Sequence, residues 1–350
     1  FMVANRSGAA GADTLVFDDV YWWVDAASHG QTNTNAVPDS SPAAVSTNVD
    51  PGYVLSYQNA KYVPPDGKVL FIAGQDKISI PAYVASFGQA GGYASYWAVN
   101  DLNGLTNDYI DNQGGHVNVQ NLKWLADTYP ETVAQSAMWI VGKAKYGVDI
   151  CTNVINGVYD NVLDTFTAWA VAANIPVYLR IGYEFDGPHN MLDPVEYINA
   201  YRYIVDRIRA GGGDNVAFVW HSYANITYLG HPVAAWYPGD AYVDWVGVSI
   251  FSGHFVEGVA IAELDNVIDL AKGYKKPVMV AESTPNGGII PGSYRTWNRW
   301  FAPLFTYIHQ KNIKAFSYIN CDWNAVSVGT PDWGDTRIQN FPLIRECWTN

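Results

Sequence analysis

From Lys68 onward the chain passes through eight short apolar segments rich in β-branched residues, separated by longer amphipathic ones. This alternation limits the fold more than any other feature. The segments are VLFIAG (69–74), YASYWAV (93–99), SAMWIVG (136–142), PVYLRIGYE (176–184), VAFVWHS (216–222), VDWVGVSIF (243–251), PVMVAES (277–283) and IKAFSYIN (313–320). A run that stays apolar on both alternating faces reads as a strand buried on both sides, as in a parallel sheet covered by helices. Helices are predicted between them at 117–129, 162–174, 194–212, 262–274 and 293–312. The third has Asp193 as its cap, Pro194 at its first position and three glycines at its end. Eight such units predict an α/β chain folded as a (β/α)8 TIM barrel over residues 67–350. An open dinucleotide-binding sheet is disfavoured, because FIAGQD after the first strand lacks the glycine spacing that cradles phosphates. Residues 1–66 break the period and read as an N-terminal extension packed on the barrel, with the aromatic cluster DDVYWWVD as its anchor.

Composition narrows the function. Acids outnumber Lys and Arg 33 to 20, giving a net charge of −13, so a nucleic-acid partner is disfavoured. No apolar stretch is long enough to cross a bilayer, and no membrane partner is expected. Aromatics reach 15%, with 14 Trp and 24 Tyr, while charged residues are only 15%. The three cysteines allow at most one disulfide, and the histidines and cysteines show no ligand spacing, so neither metal nor cofactor is expected. The first residues carry no charged region followed by an apolar one, which predicts a leader that is absent or already removed. Richness in Asn, Ser, Thr and Tyr suits an exported protein, secreted, periplasmic or on the cell surface, acting as a monomer.

In a parallel barrel the working side chains come from the carboxyl ends of the strands. Those ends hold Trp97, Trp139, Glu184 with Asp186, His221, Phe251 followed by His254, Glu282, Asn320 and Trp323. Alternation places Tyr178, Arg180, Gly182 and Glu184 on one face of the fourth strand and Val278, Val280 and Glu282 on one face of the seventh. Two carboxyls facing each other across a narrow barrel suit retaining glycosidic cleavage, with one as nucleophile and one as proton donor. Asp186, two residues on, would disfavour ionisation of Glu184 by like-charge repulsion, and Arg180 is the nearest cation for Glu282. Each candidate also has a structural alternative. Arg180 would serve as a buried ion-pair partner, Asp186 as a turn cap, and Trp97, Trp139 and Trp323 as core.

The stretch RIGYEFDG (180–187) resembles the acid/base motif of glycoside hydrolase family 26, Arg-Pro-x-His-Glu-x-Asn-Gly, through Arg180, Glu184 and Gly187. WYPGDAYVDWVGVSIF (236–251) is similar to the segment entering the family's sixth strand, and KKPVMVAES (275–283) to the strand carrying its nucleophile, matched by Glu282. The resemblance spans roughly residues 66–345. It implies a retaining endo-acting hydrolase of the β-mannanase type, with Glu184 as acid/base and Glu282 as nucleophile. The substrate-binding candidates are Arg180, Tyr183, Asp186, His189, Trp97, Trp139, His221, Phe251, Asn320 and Trp323. Tyr183 stands where the family has histidine, Asp186 where it has asparagine, and Phe251 where an aromatic hydroxyl is common. These departures open other backbones beside mannan: β-1,3-xylan, mixed-linkage glucan, or a marine galactan or fucan. A non-catalytic carbohydrate-binding protein is the alternative of another class.

Overall fold

The structure is a computed structural model, described here for residues 22–23, 39–111, 118–143, 147–224, 231–251, 261–326 and 333–350. Eight parallel strands close on themselves: β1 (Lys68–Gly74), β2 (Gly92–Ala98), β3 (Val133–Trp139), β4 (Val177–Ile181), β5 (Val216–Ser222), β6 (Trp245–Ile250), β7 (Val278–Ser283) and β8 (Ala315–Ile319). Each pairs with its sequence neighbours, and β8 returns to β1 with Ala315 opposite Leu70, so the fold is a (β/α)8 TIM barrel. Strand alternation divides the core in two. Leu70, Ile72, Ala94, Val133, Tyr178, Val219, Trp245, Met279 and Ala315 fill the barrel, while Phe71, Trp97, Met138, Leu179, Phe218 and Val280 pack outward against the helices.

The helix Pro194–Ala210 begins as its sequence demands, with Asp193 accepting from the amides of Val195 and Glu196. Helices at Asp160–Ala173, Ile261–Gly273 and Ala302–Gln310 fall within or beside the expected spans. The segment expected at 117–129 shortens to Leu122–Thr128, where the Asn121 side chain accepts from the Trp124 amide. Among the described residues, helices at Ser79–Phe87, Ile150–Ile155, Trp323–Val326 and Pro342–Thr349 escaped the periodicity. A 3-10 turn at Val233–Trp236 occupies the position between β5 and β6.

Residues 39–50 run along the helical segment after β7, and residues 53–66 strap the amino-terminal end of the barrel. The indole of Trp245 donates to the Lys61 carbonyl at 2.7 Å, the Tyr178 hydroxyl to that of Tyr62 at 2.7 Å, and the Trp297 indole to that of Ala43 at 2.9 Å. Trp22–Trp23 forms a short strand antiparallel to the start of β1. The rest of residues 1–38, and His254, lie outside the described residues.

Candidate active site

Arg180 is the hub of the carboxyl end. It is fully buried on the inner face of β4, with its guanidinium 4.9 Å from the ring centre of Tyr96 on β2 and 5.5 Å from that of Tyr183. Its Nη1 donates to Glu282 Oε2 at 2.9 Å. Glu282 also accepts from the Tyr96 hydroxyl.

The inward aim of Glu282 has a different cause from the expected alternation. Val278 and Val280 face the helices, and Met279 and Ala281 face the barrel. The register with β6 then shifts, with Val280 opposite Val248 and Glu282 opposite Ser249, so Ala281 is an extra residue in β7. This bulge reverses the parity and turns Glu282 onto Arg180. The parity argument for Glu184 is corrected in the same way, because β4 ends at Ile181. Gly182 and Glu184 then adopt left-handed φ of 55° and 54°, a region costly for a residue with a side chain, so Glu184 arrives on a strained turn rather than a strand.

Surrounding contacts hold that turn. Phe185, fully buried, stacks on Trp220 with ring centres 4.8 Å apart. Asn190 donates to the carbonyls of Tyr183 at 2.8 Å and Glu184 at 2.9 Å. The backbone of 190–191 lies so close to Gly142 that a Cβ there would sit 1.7 Å from the Met191 carbonyl oxygen. Both carboxylate oxygens of Glu184 are engaged: Oε1 accepts from the Ser249 hydroxyl at 2.5 Å, and Oε2 lies 2.8 Å from His189 Nε2. The Ser249 hydroxyl lies 3.0 Å from His221 Nε2, and His221 Nδ1 lies 3.4 Å from Arg180 Nη1.

Burial and the facing Glu184 push Glu282 up to about 7, against the pull of Arg180 and Tyr96. Arg180, at 2.9 Å, favours negative charge on Glu282. His221 is driven well below the ordinary imidazole value by burial, with Arg180 adding to the effect, and is neutral.

Several candidate positions take other roles. Asp186 turns toward β5, accepting from the Ser222 hydroxyl at 2.5 Å and the Tyr223 amide at 2.6 Å. Burial raises it to about 6, and its contacts anchor the loop after β5. Trp97 faces the helices, stacked on Phe166 at 5.2 Å with its indole on the Ser136 hydroxyl, so it is core and not a sugar platform. Asn320 is fully buried and spends its amide on the Ile338 nitrogen and the Gln339 side chain. His221 is fully buried beneath the carboxylates instead of lining the cleft. Phe251 packs on Trp333 at 5.1 Å, and Trp333 on Trp323 at 4.8 Å, forming an aromatic wall after β6 and β8. Trp139 and Tyr183 are half-buried, and His189, the most open, stands edge-on to Tyr223 at 5.3 Å. Tyr96 and Ser249 escaped the sequence analysis. The signal was present, since each shares parity with an inward neighbour, Ala94 and Trp245. The three cysteines are free thiols, and among the described residues no cluster of acids, histidines or cysteines could hold a metal.

A TIM barrel with buried carboxylates after β4 and on β7 has the architecture of a glycoside hydrolase. The glycosyl hydrolase family 26 model matches residues 98–319, and the chain belongs to that family. It is 31% identical over 316 residues to a β-1,3-xylanase from Vibrio sp., covering 83% of this chain and 65% of the relative. It is 30% identical to a β-1,3-xylanase from Alcaligenes sp., covering 83% of this chain and 64% of the relative. The chain therefore spans just under two thirds of either relative. Among solved structures, a family 26 β-mannanase from Bacteroides ovatus superposes with a TM-score of 0.56 at 16% identity, covering 80% of this chain and 87% of that one. A modular endo-β-1,4-mannanase from Cellulomonas fimi gives 0.53 at 16% identity, covering 80% of this chain and 69% of that one.

Proposed function

We propose that this chain is a retaining, endo-acting glycoside hydrolase of a β-linked polysaccharide, with β-1,3-xylan as its substrate. The observation that carries the reaction type is the facing pair Glu184 and Glu282, with Glu282 bound to a buried cation and Glu184 to a hydroxyl and an imidazole. The backbone follows from the two xylanase relatives, which align with most of this chain at far higher identity than the mannanases of similar fold.

In the first step the Glu282 carboxylate attacks the anomeric carbon while Glu184 gives its proton to the departing glycosidic oxygen. A covalent ester forms on Glu282. In the second step Glu184 takes a proton from water as the water oxygen adds to the same carbon, and Glu282 leaves as a carboxylate. Two inversions give net retention. Arg180 and Tyr96 hold the attacking oxygen ready and receive its charge back when the ester breaks. Trp323 and Trp333 offer aromatic surface for stacking on sugar faces, and Trp139 stands at the end of β3 on the same rim. The protein acts as a monomer outside the cell or at its surface, where such polymers are met.

Release of reducing ends from β-1,3-xylan, mannan, mixed-linkage glucan, galactan and fucan tests the substrate, with binding measured in parallel. Hydrolysis of β-1,3-xylan is expected. Hydrolysis of mannan instead would overturn the substrate, and binding without release from any polymer would mark a non-catalytic carbohydrate-binding protein.

A further inference from the structure

We propose that His221 and Ser249 are positioning residues that join the two carboxylates through Arg180, fix the proton of Glu184 on Oε2, and transmit to Glu184 the charge lost from Glu282 on esterification. The inference rests on the hydrolase reading above.

The path has only one possible direction. A guanidinium has no acceptor, so Arg180 Nη1 must donate across the 3.4 Å to His221 Nδ1. A neutral His221 then carries its hydrogen on Nε2 and donates to Ser249 Oγ at 3.0 Å. The Ser249 hydrogen is left for Glu184 Oε1 at 2.5 Å. Every donor points from the arginine to the carboxyl. Oε1 is therefore an acceptor in both states of Glu184, and the acidic hydrogen belongs on Oε2. That oxygen faces His189, whose side chain is 40% exposed against 8% for Glu184, so it lies on the side from which a glycosidic oxygen would approach.

The charge argument follows from the shared arginine. Before reaction Arg180 is neutralised by Glu282 at 2.9 Å. Attack on the anomeric carbon converts that carboxylate to an uncharged ester, while the Glu184 proton moves to the leaving oxygen. Arg180 is then without its counter-ion, and its nearest polarisable route runs through His221 and Ser249 to Glu184, now a carboxylate. The chain stabilises the anion that forms as the proton leaves for the glycosidic oxygen. Water returns that proton in the second step, so the cycle is balanced. Glu184 is faced by Glu282 from β7, Ser249 from β6, His221 from β5, and Tyr183, Asp186 and His189 from its own turn. Ser249 hydrogen-bonds Glu184 and leads through His221 to the arginine.

The test compares Ser249→Ala, Ser249→Thr and His221→Gln with the unaltered full chain on β-1,3-xylan and on the 2,4-dinitrophenyl glycoside of β-1,3-xylobiose, whose leaving group needs no proton. Loss of one hydrogen bond to a charged group should lower kcat on xylan by about tenfold to a hundredfold in Ser249→Ala. The activated glycoside should keep near-normal turnover, because its leaving group takes no proton from Glu184 and the first step there gains nothing from a stabilised Glu184 carboxylate. The alkaline limb of kcat/KM should move to higher pH, since a hydroxyl donor favours the carboxylate and its loss lets the acid persist. Ser249→Thr, which keeps the hydroxyl, should restore both behaviours, and His221→Gln should fall between. A Ser249→Ala enzyme with an unshifted alkaline limb, or one that loses as much on the activated glycoside as on xylan, overturns the proposal. Glu184→Ala serves as control: if it is inactive on xylan and rescued by azide on the activated glycoside, the hydrolase reading stands whatever Ser249 does. If Glu184→Ala works normally, that reading and this one fail together.

Discussion

The two ends of the barrel solve the same problem, buried polar groups in an apolar core, in opposite ways. At the amino-terminal end, cations meet backbone. Lys276, nearly fully buried, donates to the carbonyls of Gln58 at 3.2 Å and Asp240 at 3.0 Å, and Lys61 to those of Asp214 and Val216, both at 2.8 Å. These groups have fixed partners, and nothing there is left to react. At the carboxyl end, side chains meet side chains. Arg180 carries one ion pair, yet among the described residues its Nε and Nη2 find no hydrogen-bond partner, nor does the Trp323 indole nitrogen. Burial there pushes Glu282 and Asp186 toward the neutral form instead of resolving their charge. The strapped end invests in stability, and the rim holds groups whose charge can change during a reaction.

The largest effect should separate the ends outright. Glu282→Ala and Glu184→Gln are expected to lower turnover by about ten-thousandfold or more, as when members of a catalytic unit are removed, with little change in Tm. Near-normal activity in either would break the contrast. Next comes Arg180→Met, which strands a buried carboxylate. At pH 8 it should cost about 3 kcal/mol or more of stability as well as activity. At pH 5, where Glu282 is protonated, the stability cost should shrink. Urea unfolding at both pH values checks the sign.

A smaller effect lies in the pH dependence of the native protein. Glu282 and Asp186 are raised from ordinary carboxyl values to about 7 and about 6, so the folded state binds protons that the unfolded state has released. Stability from this source is full at acid pH and is lost as pH rises through the window up to about 7. Above about 6 only Glu282 still contributes, so Glu282→Gln should flatten the Tm profile between pH 6 and 7 while leaving the Asp186 slope below it. A native profile that rises across the whole window would contradict this. The smallest effect belongs to the strapped end. Lys276→Met removes two hydrogen bonds to carbonyls and should cost about 1 to 3 kcal/mol, with kcat and KM unchanged.

This contrast also explains what could be read from the sequence. The barrel was legible because its strands are apolar on both faces for hundreds of residues, and Arg180, Glu184 and Glu282 stood out as charges at strand ends. Side-chain aim was less legible where the backbone breaks period. The bulge at Ala281 and the left-handed turn at Glu184 each reset parity, and neither has a hydropathy signal. Trp97 was chosen for its place near the end of an apolar run, yet the pleat turns Trp97 toward Phe166 and Tyr96 toward Arg180. Asp186, read as a neighbour of Glu184 in sequence, is a neighbour of Ser222 and Tyr223 in space. Short helices such as Ile150–Ile155, with little room for an amphipathic period, left no trace.

Trapping the covalent intermediate tests the central claim most directly. The chain is incubated with the 2-deoxy-2-fluoro analogue of the activated β-1,3-xylobioside, digested, and the labelled peptide read by mass spectrometry. An ester on Glu282 is predicted, with Arg180 and Tyr96 beside it. A label on Glu184, or turnover that inverts the anomeric centre without any label, would contradict the account.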